Sequence, residues 1–288
     1  MIQQLAIVGL GLIGGSLARA ARAAGEVGTI AGFDLDDAQR LGAVKLGVVD
    51  RAAPDAAACV READVVVLAV PVLRTGEALR AILPHLRPGC VVTDVGSTKQ
   101  SVLADVESIC GEIPSWFVAA HPIAGTEKSG VAHSQADLFR GHRVIVTPHQ
   151  GQDLAARQVV TRLWVAAGAR VVEMDAARHD AIFAATSHLP HLLAYSFVDM
   201  LARQPDSESI FPNAGGGFRD FTRIASSSPQ MWHDIVRANS SEVVKLLDRQ
   251  IDELQRIRAM MKDERWDQLR ELFQRARAAR ERHLAQIE

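Results

Sequence analysis

The sequence predicts an α/β fold: a doubly wound, mostly parallel sheet followed by an all-helical domain. Three observations carry that reading. Short β-branched runs alternate with Ala-, Leu- and Arg-rich stretches of helical length, those runs are continuously apolar, and strand-like runs vanish after about Asp175. The runs lie at residues 5–8, 30–33, 65–70 and 91–93, with helical stretches such as 16–24 and 76–86 between them. Continuous rather than alternating apolarity implies burial on both faces, as in a parallel sheet covered by helices. Strand–helix–strand repetition implies a doubly wound layer. Further strands are expected at 117–120, 143–147 and 169–173. The change of character places a boundary between 1–172 and 173–288. In the second part, Val243, Val244, Leu247, Ile251, Leu254, Ile257 and Met261 recur in steps that draw one helical stripe. Such a stripe serves either as intrachain core or as a seam between subunits.

Composition removes several function classes. With 48% hydrophobic residues among 288, the chain can bury a core, which excludes wholesale disorder. Lys plus Arg is 32 against 34 Asp plus Glu, a formal charge of −2 with no basic block, so no electrostatic footprint for nucleic acid exists. The most obvious apolar run, 65–72, is far short of the ~18–20 residues of a membrane helix. Met1-Ile2-Gln3-Gln4 lacks the basic and apolar segments of a secretory leader. Cys59, Cys90 and Cys110 form no Cys-x-x-Cys pair. Reduced thiols and a cytoplasmic location are expected.

The sharpest local signal follows the first strand. Gly9-Leu10-Gly11-Leu12-Ile13-Gly14 opens a helical pattern as G-x-G-x-x-G. The first glycine permits the tight turn, the second lets backbone approach a pyrophosphate, and the third lets helix pack on strand. Amide groups at the helix start then face the anion. Asp34 closes the next strand twenty residues after Gly14, the spacing of a ribose-binding carboxylate. Such a carboxylate accepts from both ribose hydroxyls and repels a 2′-phosphate, so NAD is favoured over NADP. The cofactor-binding candidates are Gly9, Gly11, Leu12, Ile13, Gly14, Asp34 and, after the third strand, Val70 and Pro71.

Polar residues gather where strand ends and loops are expected. They are Asp94 to Lys99, His121-Pro122-Ile123-Ala124-Gly125-Thr126-Glu127, Ser187 to His191, and Gly215 to Ala225. Taken singly, each has a plainer role. Asp94 could cap the helix beginning near Ser97. Lys99 could be a solvated first-turn residue or a phosphate contact, and Arg219, Asp220 and Arg223 could form ion pairs. His188 and His191 share a helix face, but no third ligand of suitable spacing accompanies them, so no metal is expected.

The combination resembles the prephenate/arogenate (cyclohexadienyl) dehydrogenase family of tyrosine biosynthesis, in its monofunctional form. The resemblance rests on Gly9 to Ser16, Asp94 to Lys99, His121 to Glu127, the His179-Asp180 pair, Ser187 to His191, Gly215 to Ala225 and Trp232. The pieces run in the family's order over nearly the whole chain. No chorismate mutase segment precedes Met1 and no regulatory domain follows Glu288, hence the monofunctional expectation. The resemblance implies a Rossmann domain followed by a helical dimerisation domain, a homodimer, and NAD-dependent oxidative decarboxylation of prephenate to 4-hydroxyphenylpyruvate. It implies that His121 accepts a hydrogen bond from the ring hydroxyl, with Ser97 alongside. His191 and Arg223 would hold the carboxylate end, and Gly216 and Asp220 would shape the loop presenting Arg223. Glu127 would belong to the substrate-entry network, Trp232 would reach the neighbouring subunit's site, and His188 would be a supporting residue. Arogenate, or both substrates, remain open because no residue is assigned to the side chain's keto or amino group. More distant alternatives are a β-hydroxyacid dehydrogenase, which would need a helical-domain lysine as acid/base, and a non-catalytic NAD-sensing protein.

Overall fold

A computed structural model describes residues 1–126 and 128–287. Six parallel strands, β1 (Ile2–Val8), β2 (Val27–Phe33), β3 (Arg51–Ala52), β4 (Val65–Leu68), β5 (Val91–Asp94) and β6 (Phe117–Val118), lie in the order β3-β2-β1-β4-β5-β6. The order reverses between β1 and β4, and the crevice at their carboxyl ends is where such sheets hold ligands. The strands are apolar throughout because both faces are covered. Leu5, Ile7, Val65 and Val67 pack in one cluster with Leu17 of α1 (Leu12–Ala23) and Trp164 of α6 (Leu154–Ala166). Ala6, Val8, Val66 and Leu68 face a second cluster with Cys59, Leu79 and Val102. These last belong to α3 (Ala56–Val60), α4 (Thr75–Ile82) and α5 (Gln100–Cys110). The remaining helix of this layer, α2 (Asp37–Lys45), follows β2.

The local differences from expectation have physical causes. β3 is only two residues long and exists through its pairing with β2, so no apolar run announces it. The run 65–70 stops pairing at Leu68, and the helix expected over 76–86 gives way after Ile82 to a 3₁₀ turn, Leu83–His85, where Pro84 supplies no amide donor. The strand expected over 117–120 divides in two. β6 ends at Val118, and β7 (Ala120–Pro122) joins a separate sheet with β8 (Arg143–Val146) and β9 (Arg170–Glu173). In that sheet β7 runs antiparallel and β9 parallel to β8. His121 therefore sits within a strand, opposite Ile145, rather than on a loop after one.

After β9 the chain is helical: α7 (Ala176–Phe183), a π-type turn (Ala184–His188), α8 (Leu189–Ala202), α9 (Ser207–Ile210), α10 (Gly216–Thr222), α11 (Pro229–Ala238), α12 (Ser240–Lys262) and α13 (Trp266–Ile287). Two compact units result, 1–240 and 241–288, with α7–α11 in the same unit as the sheets. Along α12, Val244, Ile251, Leu254 and Met261 are each 43% or more exposed, so most of the stripe is not intrachain core. Burial pushes the Cys59 thiol up to about 12 and the Cys90 thiol to about 11, which leaves both poor nucleophiles. No described helix is long and apolar enough to cross a membrane.

Leu5 is fully buried at the centre of β1. Leu5→Ala is expected to cost about 2–5 kcal/mol of stability, read as a lower denaturation midpoint with unchanged slope.

Candidate active site

The Gly-rich turn joins β1 to α1. Gly9 adopts φ +104°, and a Cβ there would lie 2.3 Å from the Ala69 carbonyl oxygen. At Gly14 a Cβ would meet the Gly9 carbonyl oxygen at 2.1 Å, so strand and helix approach too closely for any side chain. A Cβ at Gly11, by contrast, would have nothing within 4 Å. That open side lies at the α1 N-terminus, which has no side-chain cap and no acidic residue in its first turn. Free amides and absent negative charge suit a pyrophosphate. Leu12 is buried and Ile13 half-buried at the start of α1, while Val70 and Pro71 leave the end of β4 beside Gly9. Asp34, half-buried just after β2, accepts from the Leu10 amide at 2.7 Å, so the carboxylate braces the turn it accompanies. These residues fit a bound dinucleotide.

A second group surrounds His121. Its Nδ1 lies 2.9 Å from His179 Nε2, and its ring meets Phe183 edge-on at 5.0 Å between centroids. His179 Nδ1 in turn lies 2.8 Å from Asp180 Oδ1. Asp180 Oδ1 accepts from the Lys99 amide at 2.8 Å and Oδ2 from the Gln100 amide at 2.9 Å. Asp180, eighty residues downstream, therefore caps the N-terminus of α5.

Asp94 is not that cap. Fully buried, it accepts from the Gly96 amide at 2.7 Å and the Ala120 amide at 3.1 Å, and it pairs with Lys99. Lys99 is neither solvated nor a phosphate contact: it is fully buried, and its Nζ also donates to the Ala120 carbonyl at 2.7 Å. The pair thus grips both backbone polar groups of the residue before His121. Ser97 sits half-buried in the loop between the two partners.

Electrostatics in this cluster favour neutral imidazoles. Burial lowers the His121 pKa well below its usual value, and the neighbouring His179, Lys99 and His188 add to the effect. Burial also lowers His179, although Asp180 opposes it. His188 is depressed to about 4, by burial first, with His179 and His191 adding to it and Asp180 opposing. For Asp180 burial acts upward, yet the His179 bond and the two amides outweigh it and leave the carboxyl below its usual range. Lys99 is lowered by burial against the pull of Asp94 and Asp180.

A third group lies on the helices. His191 stacks on Trp232 with centroids 3.5 Å apart and planes 18° from parallel, and its Nδ1 lies 2.8 Å from the Ser187 carbonyl. Burial lowers the His191 pKa, the Ser187 carbonyl opposes this, and the Arg223 charge lowers it further. His188 meets Trp232 at 6.3 Å, and Asn239 Nδ2 is 2.8 Å from the Asp180 carbonyl and 3.0 Å from His188 Nδ1. A continuous line of contacts therefore runs from His121 through His179, Asp180, Asn239, His188 and Trp232 to His191, on which the Arg223 charge also acts.

Arg223 is exposed just after α10, and Gly216 and Asp220 are exposed on that helix. Among the described residues no ion pair joins Arg219, Asp220 and Arg223, so the cluster is not a structural salt bridge. Trp232 is 9% exposed and packs within its own unit. Its indole N–H finds no acceptor among the described residues. Glu127 lies outside the described residues. No group of three metal-binding side chains occurs among the described residues.

In the sequence His179 and Asp180 stand only as a motif and no signal marks Asn239. Their long-range partners are 51 to 81 residues away, beyond the reach of any local spacing rule.

The four histidines with lowered pKa values give the fold a pH dependence. For His188 the folded value of about 4 lies below the ordinary 6.5 expected on unfolding. As pH falls below 6.5 the unfolded chain takes up the proton first, so stability is full above that pH and drains away toward pH 4. Thermal melts should show Tm falling across this window, and His188→Gln should flatten the fall. A Tm that rises on acidification would contradict the assignment.

The chain is similar to known proteins along its whole length. Residues 17–173 match the family model for the prephenate dehydrogenase nucleotide-binding domain, and 175–275 that for the prephenate dehydrogenase dimerization domain. A prephenate dehydrogenase of Bacillus subtilis is 38% identical over 98% of this chain and 76% of its own length. A cyclohexadienyl dehydrogenase of Zymomonas mobilis is 35% identical over 97% of this chain and 96% of its own. Among solved structures, prephenate dehydrogenase from Aquifex aeolicus in complex with hydroxyphenyl propionate and NAD⁺ superposes with a TM-score of 0.91 at 35% identity, covering 100% of this chain and 99% of that one. A 3-hydroxyisobutyrate dehydrogenase from Salmonella typhimurium, covering 85% of this chain and 88% of its own, shares the fold at a TM-score of 0.58 and 15% identity.

Proposed function

Because the chain belongs to the prephenate dehydrogenase family, we propose that this oxidoreductase converts prephenate to 4-hydroxyphenylpyruvate with NAD. The observation that carries this reading is the line of groups from His121 to Arg223, which offers a neutral base at one end and a cation at the other.

Gly9, Gly11, Leu12, Ile13, Gly14, Asp34, Val70 and Pro71 would hold NAD, which supplies the hydride acceptor. His121 takes the proton of the substrate's ring hydroxyl as the carbonyl forms; a positioned base of this kind is worth roughly 10²–10⁴-fold in rate. Its lowered pKa keeps the imidazole unprotonated and ready. The ring carboxylate then leaves as carbon dioxide, its bonding pair passing into the ring as it aromatises, and the ring oxygen takes the proton back from His121. Ser97 orients the hydroxyl beside His121. Arg223, with a planar fork suited to both oxygens of a carboxylate, anchors the substrate together with His191. The unpartnered Trp232 N–H is a further donor in the same group. Gly216 and Asp220 shape the segment presenting Arg223, and Glu127 would belong to the substrate-entry network.

In keeping with this reading we divide the chain into a nucleotide-binding part, 1–172, and a substrate and dimerisation part, 173–288. The exposed stripe on α12 supports pairing with a second copy of the chain. Light scattering that found only monomer would remove that element. A cytoplasmic location accords with a small-molecule substrate and NAD.

Assay of the purified protein with prephenate and arogenate, each with NAD and NADP, tests the proposal. Turnover of prephenate with NAD is expected; nucleotide binding without turnover of either substrate would overturn it. His121→Asn should lower kcat by roughly 10²–10⁴-fold while leaving NAD affinity unchanged. Arg223→Ala should raise KM for prephenate about 10- to 100-fold, the ~1.5–3 kcal/mol of a charged hydrogen bond.

A further inference from the structure

We propose that His179 and Asp180 are positioning residues that fix the tautomer of His121, placing its one proton on Nδ1 and leaving Nε2 bare for the substrate. The inference rests on the reading of His121 as base given above, and it follows from which atoms can donate.

Asp180 already accepts two backbone N–H groups, at 2.8 and 2.9 Å. An ionised carboxylate has no proton to give, so His179 Nδ1 must be the donor in its 2.8 Å contact. A neutral His179 then carries its lone pair on Nε2. The partner of that lone pair, His121 Nδ1 at 2.9 Å, must therefore carry a hydrogen. A neutral imidazole has only one, so His121 Nε2 is unprotonated. Direction is imposed from the Asp180 end and passed along two hydrogen bonds.

The surroundings leave little freedom for the opposite arrangement. His179 is fully buried, which excludes water as a competing donor. Asp180 is locked to the α5 N-terminus, so its carboxylate cannot turn away. Behind His121, the Asp94–Lys99 pair holds Ala120 by both its amide and its carbonyl, which fixes the backbone from which the ring projects. Phe183 closes on both rings, with centroids at 5.0 Å from His121 and 4.5 Å from His179. In hydrolase triads an aspartate fixes a histidine tautomer in the same way, and losing that control lowers kcat by roughly 10⁴.

The test is ¹⁵N NMR of the full-length, histidine-labelled protein, with the His121 signals assigned by their loss in His121→Asn. Unsubstituted protein at neutral pH should show His121 protonated at Nδ1 only. In Asp180→Asn an amide N–H can donate to His179 and reverse both bonds, so His121 should shift toward the Nε2–H form. The same variant should lose about 10²–10⁴-fold in kcat with KM and NAD affinity unchanged. Should Asp180→Asn fail to fold, the comparison of His179→Gln with His179→Phe decides, since both keep Asp180 and its two bonds to the α5 amides. Gln offers an oxygen that can accept from His121 Nδ1, whereas Phe offers nothing, so kcat should fall far less in Gln than in Phe. An Nε2–H His121 in the unsubstituted protein, or equal kcat in the two His179 variants, would overturn the inference. The spectra need no substrate. Absence of turnover would therefore strike the proposed function while leaving the tautomer assignment standing.

Discussion

The carboxylate of Asp180 is the group on which the site depends. It lies on a helix after the last strand, yet it caps the helix that follows β5 and holds the ring that touches His121. Three independent requirements meet in one side chain. The α5 amides need an acceptor, the buried His179 ring needs a partner for Nδ1, and the carboxylate itself needs donors to stay ionised away from water. Each satisfies the others, so the helical segment docks on the sheet layer in a single register. Asn239 adds to the same junction by donating to the Asp180 carbonyl.

The second constraint is a buried charge pair used for geometry. Asp94 and Lys99 are both fully buried, an arrangement that need not stabilise a fold against an apolar replacement of equal volume. Here the pair does something an apolar one could not: each charged group also binds the backbone of Ala120. That residue is where the chain leaves the parallel sheet for the small antiparallel pairing, and the next position is His121. A flexible switch point would blur the position of the imidazole. The pair removes that freedom.

Charge is distributed unevenly along the line from His121 to Arg223. The buried histidines are held neutral, chiefly by desolvation, while Arg223 remains exposed at the far end. The neutral interior also keeps the Asp180 carboxylate from being surrounded by competing cations, apart from Lys99, which Asp94 already occupies.

Much of this was written locally in the sequence. The glycine turn from Gly9 to Gly14, the apolar strands and the loss of strands after residue 173 all depend on neighbours a few residues apart, whereas His121 and Arg223 became candidates through a resemblance that spans nearly the whole chain. Continuous apolarity in β1 and β4 encodes two covered faces, and glycine alone tolerates the close approach at positions 9 and 14. What only the tertiary structure decided is pairing across long separations: Asp180 as the cap of α5, Lys99 as a buried partner rather than a surface cation, Trp232 inside its own unit, and the break that puts His121 within a strand. The physical reason is that a capping carboxylate or a buried amine is chosen by which group lies within 3 Å in space, and no spacing along the chain specifies that.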